Sequence, residues 1–199
     1  FRYHWKSVLI AVGAKVVETG PFYIFSTFVI AYATGYLGYD RVTALNAVTL
    51  ATLVTTIMIP YMGKLSDKLG RKPLYIGGTI LIILYAFPYF YLLSLKSGVI
   101  LTIATIIGLG ILWAPVTAVL GTMFSEIFST NVRYTGVTVG YQLGAALAGG
   151  TAPLIATALL AAFDNSWVPV ALYIVLTGVI SLIAIGATKE TKDLDLDNP

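Results

Sequence analysis

The sequence has no cysteine and a single histidine, His4. A disulfide framework and a thiolate metal site are therefore excluded. A histidine-built metal centre or a Ser–His dyad inside the apolar part of the chain is excluded too, because His4 sits in a basic flank. Charge is also scarce: 11% of the 199 residues are Asp, Glu, Lys or Arg, against roughly a quarter in a soluble domain. That deficit argues against a water-soluble enzyme. Paired aspartates in an apolar run are missing as well, with Asp164 alone at a connection, so an intramembrane enzyme has no chemistry to use. No metal site or cofactor is expected.

What the sequence has in abundance is apolar length. Hydrophobic residues make up 58% of the chain. Charge-free runs cover Val42–Gly63, Pro73–Leu95, Ser97–Ser125, Tyr134–Phe163 and Asn165–Thr188. Each is longer than the ~18 apolar residues that mark a candidate membrane helix. A sixth run, Ser7–Tyr39, is interrupted only by Lys15 and Glu18. The expected fold class is all-α membrane: six transmembrane helices over approximately 7–39, 42–63, 73–95, 97–125, 134–163 and 165–188, forming one bundle over 1–188. Residues 189–199 are expected to form a polar cytoplasmic tail. The first apolar segment lacks the layout of a cleavable signal peptide. The first residue is Phe, and the chain reads as a piece of something longer.

Alternation across six spans assigns the charges to two sides. One side holds Arg2, Lys6, Lys64, Lys68, Arg71, Lys72, Arg133, Lys189 and Lys192; the other holds Arg41 and Lys96. This asymmetry satisfies the positive-inside rule with both termini cytoplasmic. The net charge of +3 then reads as loop charge facing anionic lipid, not as a nucleic-acid surface.

Glycine and proline punctuate the spans. Gly20-Pro21 falls near the middle of the long first span, where the lost backbone hydrogen bond predicts a kink or break. The fourth span carries Gly108, Gly110, Pro115 and Gly121. The fifth carries Gly136, Gly140 and Gly144 at intervals of four, then Gly149, Gly150 and Pro153. Glycine every four residues makes a flat face for a second backbone, so this ridge requires a packing partner in this chain or in a missing part.

Between the second and third spans lies Gly63-Lys64-Leu65-Ser66-Asp67-Lys68-Leu69-Gly70-Arg71-Lys72-Pro73. Two glycines seven apart, a fixed acid and a basic pair on a short connection closely resemble the signature loop of the major facilitator superfamily. After the fourth span comes Glu126-Ile127-Phe128-Ser129-Thr130-Asn131-Val132-Arg133-Tyr134-Thr135-Gly136, followed by Gly140-Tyr141-Gln142. This stretch resembles the tenth-to-eleventh helix region of the metabolite:proton symporter branch, which includes shikimate, 2-oxoglutarate and proline/betaine carriers. Ser129 stands where that branch usually has proline, and Asn131 where a basic residue is frequent.

The resemblance spans nearly the whole chain. It implies helices seven to twelve of a twelve-helix fold, built as two three-helix inverted repeats. It implies too that Asp67, Arg71, Glu126 and Arg133, at cytoplasmic helix ends, latch that side in one state and separate in another.

Lys15 and Glu18 stand apart. At ~1.5 Å per residue they lie well inside a ~30 Å apolar core. A charge at that depth costs at least ~2.5 kcal/mol unless paired or wet. Their spacing puts both on one face, which Thr19, Tyr23 and Ser26 continue. With Asn46, Thr49, Thr52 and Thr56 of the second span, Trp113 and Thr117 of the fourth, and Tyr141 and Gln142 of the fifth, they make a candidate hydrophilic path for substrate and proton. With the resemblance, this path implies half of a secondary active transporter in the plasma membrane: proton-coupled symport of a small carboxylate or zwitterion by alternating access, with a missing N-terminal six-helix half as partner. A sugar porter of the same superfamily and a non-transporting six-helix scaffold are the alternatives, and buried Lys15 and Glu18 argue against the scaffold.

Overall fold

The computed structural model describes the backbone of residues 5–127 and 133–188, and the side chains of residues 6–125 and 138–188. Six of its helices are long and apolar enough to cross a membrane: Lys6–Gly35, Arg41–Leu69, Arg71–Ser94, Gly98–Ser125, Thr138–Ala162 and Val168–Gly186. There is no strand among the described residues. The tail from 189 onwards lies outside them.

The helices do not end where hydropathy does. Residues Lys64 to Lys72, expected as a loop, are helical except for Gly70, which separates Arg41–Leu69 from Arg71–Ser94. Lys, Leu, Ser and Asp are all tolerated in a helix, and a nucleated helix propagates cheaply through them. Charge marks where the apolar layer stops, not where the backbone turns. Gly70 stops the helix with φ 103° and ψ 153°, a conformation that a side chain would strain. Its N–H still reaches the Ser66 carbonyl at 2.9 Å. Gly63 lies within the second helix, with open space where a Cβ would stand.

At the opposite end the first helix stops at Gly35, before Gly38 at φ 78°. Asp40 caps the second helix, its carboxylate accepting from the N–H groups of Val42 and Thr43 at 3.0 and 3.2 Å. The Tyr39 hydroxyl donates to the Leu93 carbonyl at 2.9 Å and ties this connection to the end of the third helix. Burial raises the pKa of that phenol, which keeps the donating form.

Gly20 and Pro21 leave the first helix continuous. Trp5–Tyr23 runs through both and then widens into a π-helical segment, Ile24–Phe28, before Val29–Gly35. Proline has no N–H for the Val17 carbonyl, and the wider winding begins three residues after it. Two other spans widen likewise, at Ile106–Leu112 and at Ala145–Gly150.

The first span is the central element, packed on the fifth and sixth. The fourth packs on the second and third, and the third meets the sixth. Exchanging the first three spans with the last three reproduces this pairing. Three crossings separate the related helices, so the two triplets run in opposite senses. That is the arrangement of two three-helix inverted repeats. The second and fifth spans are the most exposed.

Candidate functional site

The glycine ridge finds its partner in the first span. A Cβ at Gly140 would stand 2.6 Å from the Ala11 Cβ, and one at Gly144 2.5 Å from the Lys15 Cβ. Gly149 abuts Thr19 and Tyr23. Only hydrogen at these three positions lets the fifth helix lie against the face of the first that carries Lys15. Gly136 falls among residues whose side-chain surroundings are not described.

That close approach builds a buried ionic site. Lys15 and Glu18 are 2% and 6% exposed, and Lys15 Nζ lies 2.5 Å from Glu18 Oε2. The Thr19 hydroxyl donates to Oε2 at 2.9 Å, and the Thr117 hydroxyl donates to Oε1 at 3.0 Å. Both carboxylate oxygens are thus hydrogen-bonded, which is the condition for a buried ion to be tolerated. From the fourth span the Trp113 indole N–H donates to the Glu18 carbonyl at 2.5 Å. From the fifth, Tyr141 lays its ring under Lys15, with Nζ 3.4 Å from the centroid.

Beside the pair opens a cavity of about 180 Å³, lined by Lys15, Glu18, Thr19, Phe22, Tyr23, Trp113 and Ala145. The three π-helical segments converge here. Tyr23 immediately precedes the first, Trp113 immediately follows the second, and Ala145 opens the third. Such wide turns recur where helices are shaped by function rather than by packing alone. Phe22 stacks obliquely on Trp113, the ring centroids 4.9 Å apart, and gives the cavity an apolar wall.

The structure brings Lys15, Glu18 and Tyr23 of the first span together with Trp113 of the fourth and Tyr141 of the fifth. Asn46 and Gln142 are elsewhere. Asn46 is exposed and borders a groove with Thr43, Ser97 and Thr102 near the opposite end of the second helix. Gln142 is exposed on the fifth helix. Thr49, Thr52 and Thr56 are exposed, and each hydroxyl donates to the carbonyl four residues earlier in its own helix. Thr55, one step round the helix, is the buried one and bonds across to the Leu109 carbonyl.

Sequence reading overlooked Phe22, Tyr75 and Ser181. The Tyr75 hydroxyl donates to the Ala14 carbonyl at 2.5 Å. Ser181 accepts from the Val17 N–H at 2.9 Å and donates to the Gly13 carbonyl at 2.6 Å. These bonds brace the first helix beside Lys15 and Glu18. An isolated serine in the apolar sixth span was the available signal.

At the helix ends beside Gly70, Arg71 bridges the turn. One guanidinium nitrogen donates to Asp67 Oδ1 at 2.5 Å and to Ser66 Oγ at 2.6 Å. Lys72 donates to the Thr188 carbonyl and, at 3.4 Å, to that of Gly186, at the C-terminal end of the sixth helix, where a cation is favoured. Glu126 and Arg133 lie in helices, but their side chains are outside the described residues.

Comparison with known proteins agrees with this architecture. The chain is 32% identical over 189 residues to the shikimate transporter of Escherichia coli (strain K12), covering 95% of this chain and 43% of that protein. It is 28% identical over 194 residues to the proline/betaine transporter of Salmonella typhimurium, covering 97% and 38%. It is 27% identical over 195 residues to the glycine betaine/proline/ectoine/pipecolic acid transporter OusA of Dickeya dadantii, covering 98% and 38%. The chain thus spans about two fifths of the length of these curated relatives. No solved structure gives a significant match. The pattern of the Major Facilitator Superfamily matches residues 13–195, nearly all of the six-helix bundle, and the chain belongs to that superfamily of transporters.

Proposed function

We propose that this chain is the C-terminal half of a proton-coupled symporter that moves a small carboxylate or zwitterion across the plasma membrane by alternating access. The buried Lys15–Glu18 pair beside an aromatic cavity carries this reading. A buried ion pair is costly to keep and strongly destabilising to break one-sidedly. It suits a site where a ligand and a proton take over the broken partnerships. A solute carboxylate that engages Lys15 leaves Glu18 without its cation, and a proton on Glu18 restores neutrality.

The relatives named for shikimate and for proline/betaine transport support a small organic solute. Their greater length supports a second six-helix half. The exposed side chains of Asn46, Tyr141 and Gln142 would complete the path against that half. The distribution of Lys and Arg supports a cytoplasmic position for the Gly70 side. There Asp67, Arg71, Glu126 and Arg133 form the gate.

The test is uptake by the intact carrier in proteoliposomes under an imposed pH gradient, with Glu18→Gln alongside the parent. Glu18→Gln is expected to abolish accumulation against a gradient while leaving solute exchange across equal pH. Full-rate accumulation by Glu18→Gln would remove Glu18 from the coupling mechanism.

A further inference from the structure

Thr19 carries one hydroxyl proton and faces two acceptors. Its Oγ1 lies 2.9 Å from Glu18 Oε2 and 3.0 Å from the Lys15 carbonyl oxygen. A hydroxyl offers a single proton but two lone pairs, so one of these contacts is short of a proton while Glu18 is ionised. The side chain is also fixed in place. Threonine in a helix divides between two χ1 rotamers, and the fifth helix selects one, because the Thr19 methyl abuts Gly149, where a Cβ would collide with it. The other carboxylate oxygen is held differently. Thr117 donates to Oε1 at 3.0 Å, and its proton has no second acceptor among the described residues.

We propose that Thr19 is the positioning residue for the coupling proton: it directs that proton to Oε2 of Glu18 and accepts a hydrogen bond from it, while its own hydroxyl swings to the Lys15 carbonyl. The proposal rests on the proton-coupled reading of Glu18, and it names the oxygen and the partner that reading leaves open.

The shortage at Thr19 disappears when Oε2 is protonated. An ionised carboxylate only accepts, whereas the acid also donates. The step follows departure of Lys15 Nζ, which stands 2.5 Å from Oε2. A proton from the aqueous phase then forms the O–H bond, and no covalent bond of Thr19 breaks. The acid donates to Thr19 Oγ1, and the Thr19 proton turns to the Lys15 carbonyl. Both contacts are now complete hydrogen bonds, with Thr19 and Glu18 unmoved. A proton on Oε1 would gain less, since Thr117 could accept from it only by leaving its own proton without a partner.

Few other ionisable groups among the described residues bear on Glu18. Lys15 and Tyr23 share its helix and its cavity. The third span brings Tyr75, whose hydroxyl is committed to the Ala14 carbonyl, and the fifth brings Tyr141 beneath Lys15. The fourth meets the first helix with Trp113 and Thr117 and the sixth with Ser181, and none of these three titrates.

The test is an infrared pH titration of the purified intact carrier, with the Glu18 acid band assigned by its loss in Glu18→Gln. Lys15→Met is the background, since it mimics the departed ammonium group. Thr19→Val and Thr117→Val each remove one donor to the ionised carboxylate, but Thr19→Val removes two hydrogen bonds from the acid form. Its midpoint is therefore expected about 0.5–1 pH unit below that of Thr117→Val, the worth of the additional bond. Thr19→Ser keeps the hydroxyl and follows the background. The C=O stretch of the acid rises in Thr19→Val, which leaves its O–H without an acceptor, and not in Thr19→Ser.

The same order is expected with Lys15 in place, at lower pH, because the ammonium group favours the carboxylate. A midpoint in Thr19→Val equal to or above that of Thr117→Val, a risen stretch in Thr19→Ser, or no Glu18 acid band at any pH would each overturn the assignment. These readouts need no solute. Full-rate accumulation by Glu18→Gln would strike the coupling role and leave the bond between the Glu18 acid and Thr19 standing.

Discussion

Gly144 lies against Lys15 so closely that a Cβ on the glycine would stand 2.5 Å from the Cβ of the lysine. That contact decides where the fifth helix sits, and so where Tyr141 meets the ammonium group. Gly144→Ala is therefore expected to force the two helices apart and to destabilise the bundle by ~1–3 kcal/mol, the usual range for overpacking. Gly121→Ala, where nothing lies within 4 Å, serves as the control. Thermal unfolding in detergent reads both, and equal melting temperatures would refute the packing argument.

The buried pair predicts a non-additive result. Lys15→Met or Glu18→Gln alone leaves one polar partner stranded at 2–6% exposure, and each is expected to cost ~3–5 kcal/mol. The double variant removes both charges and is expected to recover most of that loss. A double-mutant cycle on unfolding free energies measures the coupling. Simple additivity would show that the two groups are not held together in the folded protein.

Trp113 offers a separate handle on the same helix. Its indole donates to the Glu18 carbonyl at 2.5 Å, in the turn where Pro21 perturbs the hydrogen-bond ladder. Trp113→Phe keeps much of the ring packing and removes one hydrogen bond to the Glu18 carbonyl, at a cost of about 0.5–1.5 kcal/mol. Amide hydrogen exchange in residues 14–24 should accelerate, and unchanged protection there would contradict the bracing role.

Gly70→Ala places a side chain at φ 103°, and strain of ~1–3 kcal/mol is expected. The variant should also disturb Arg71, which reaches back across the turn to Asp67 and Ser66. Lower thermal stability, with the helical content kept, is the predicted signature in circular dichroism.

Asp67→Asn separates stability from gating. The Asp67 side chain is 64% exposed, and exposed ion pairs contribute little to stability. The melting temperature should barely move. If the pair belongs to the gate, the balance of inward- and outward-open carriers shifts, read by cysteine accessibility from the two sides in the intact protein. Unchanged populations together with an unchanged transport rate would dismiss the gate.

Much of this fold could be read along the chain because the membrane imposes a one-dimensional rule. Each span must be long and apolar, and Lys15 and Glu18 stood out because charge is so expensive there. Helix ends were harder. Residues 64–69 look like a loop by charge, yet they continue the second helix, since helix propagation depends on backbone and propensity rather than on the solvent outside. Of the kink or break expected at Gly20-Pro21, the break does not occur: the helix runs through both residues and a π-helical segment follows at Ile24–Phe28.

Composition and order by themselves determined the six spans, the ionic pair in the first and the glycine ridge in the fifth. Periodicity names a face on each helix, but the face it meets is settled only when all six pack. So it was the tertiary structure that set the ridge on Ala11, Lys15 and Thr19, brought Thr117 and Trp113 to Glu18, and turned Asn46 and Gln142 outward. The reason is physical: the free energy of a buried charge depends on every group within a few ångströms, and those groups come from helices far apart in the chain.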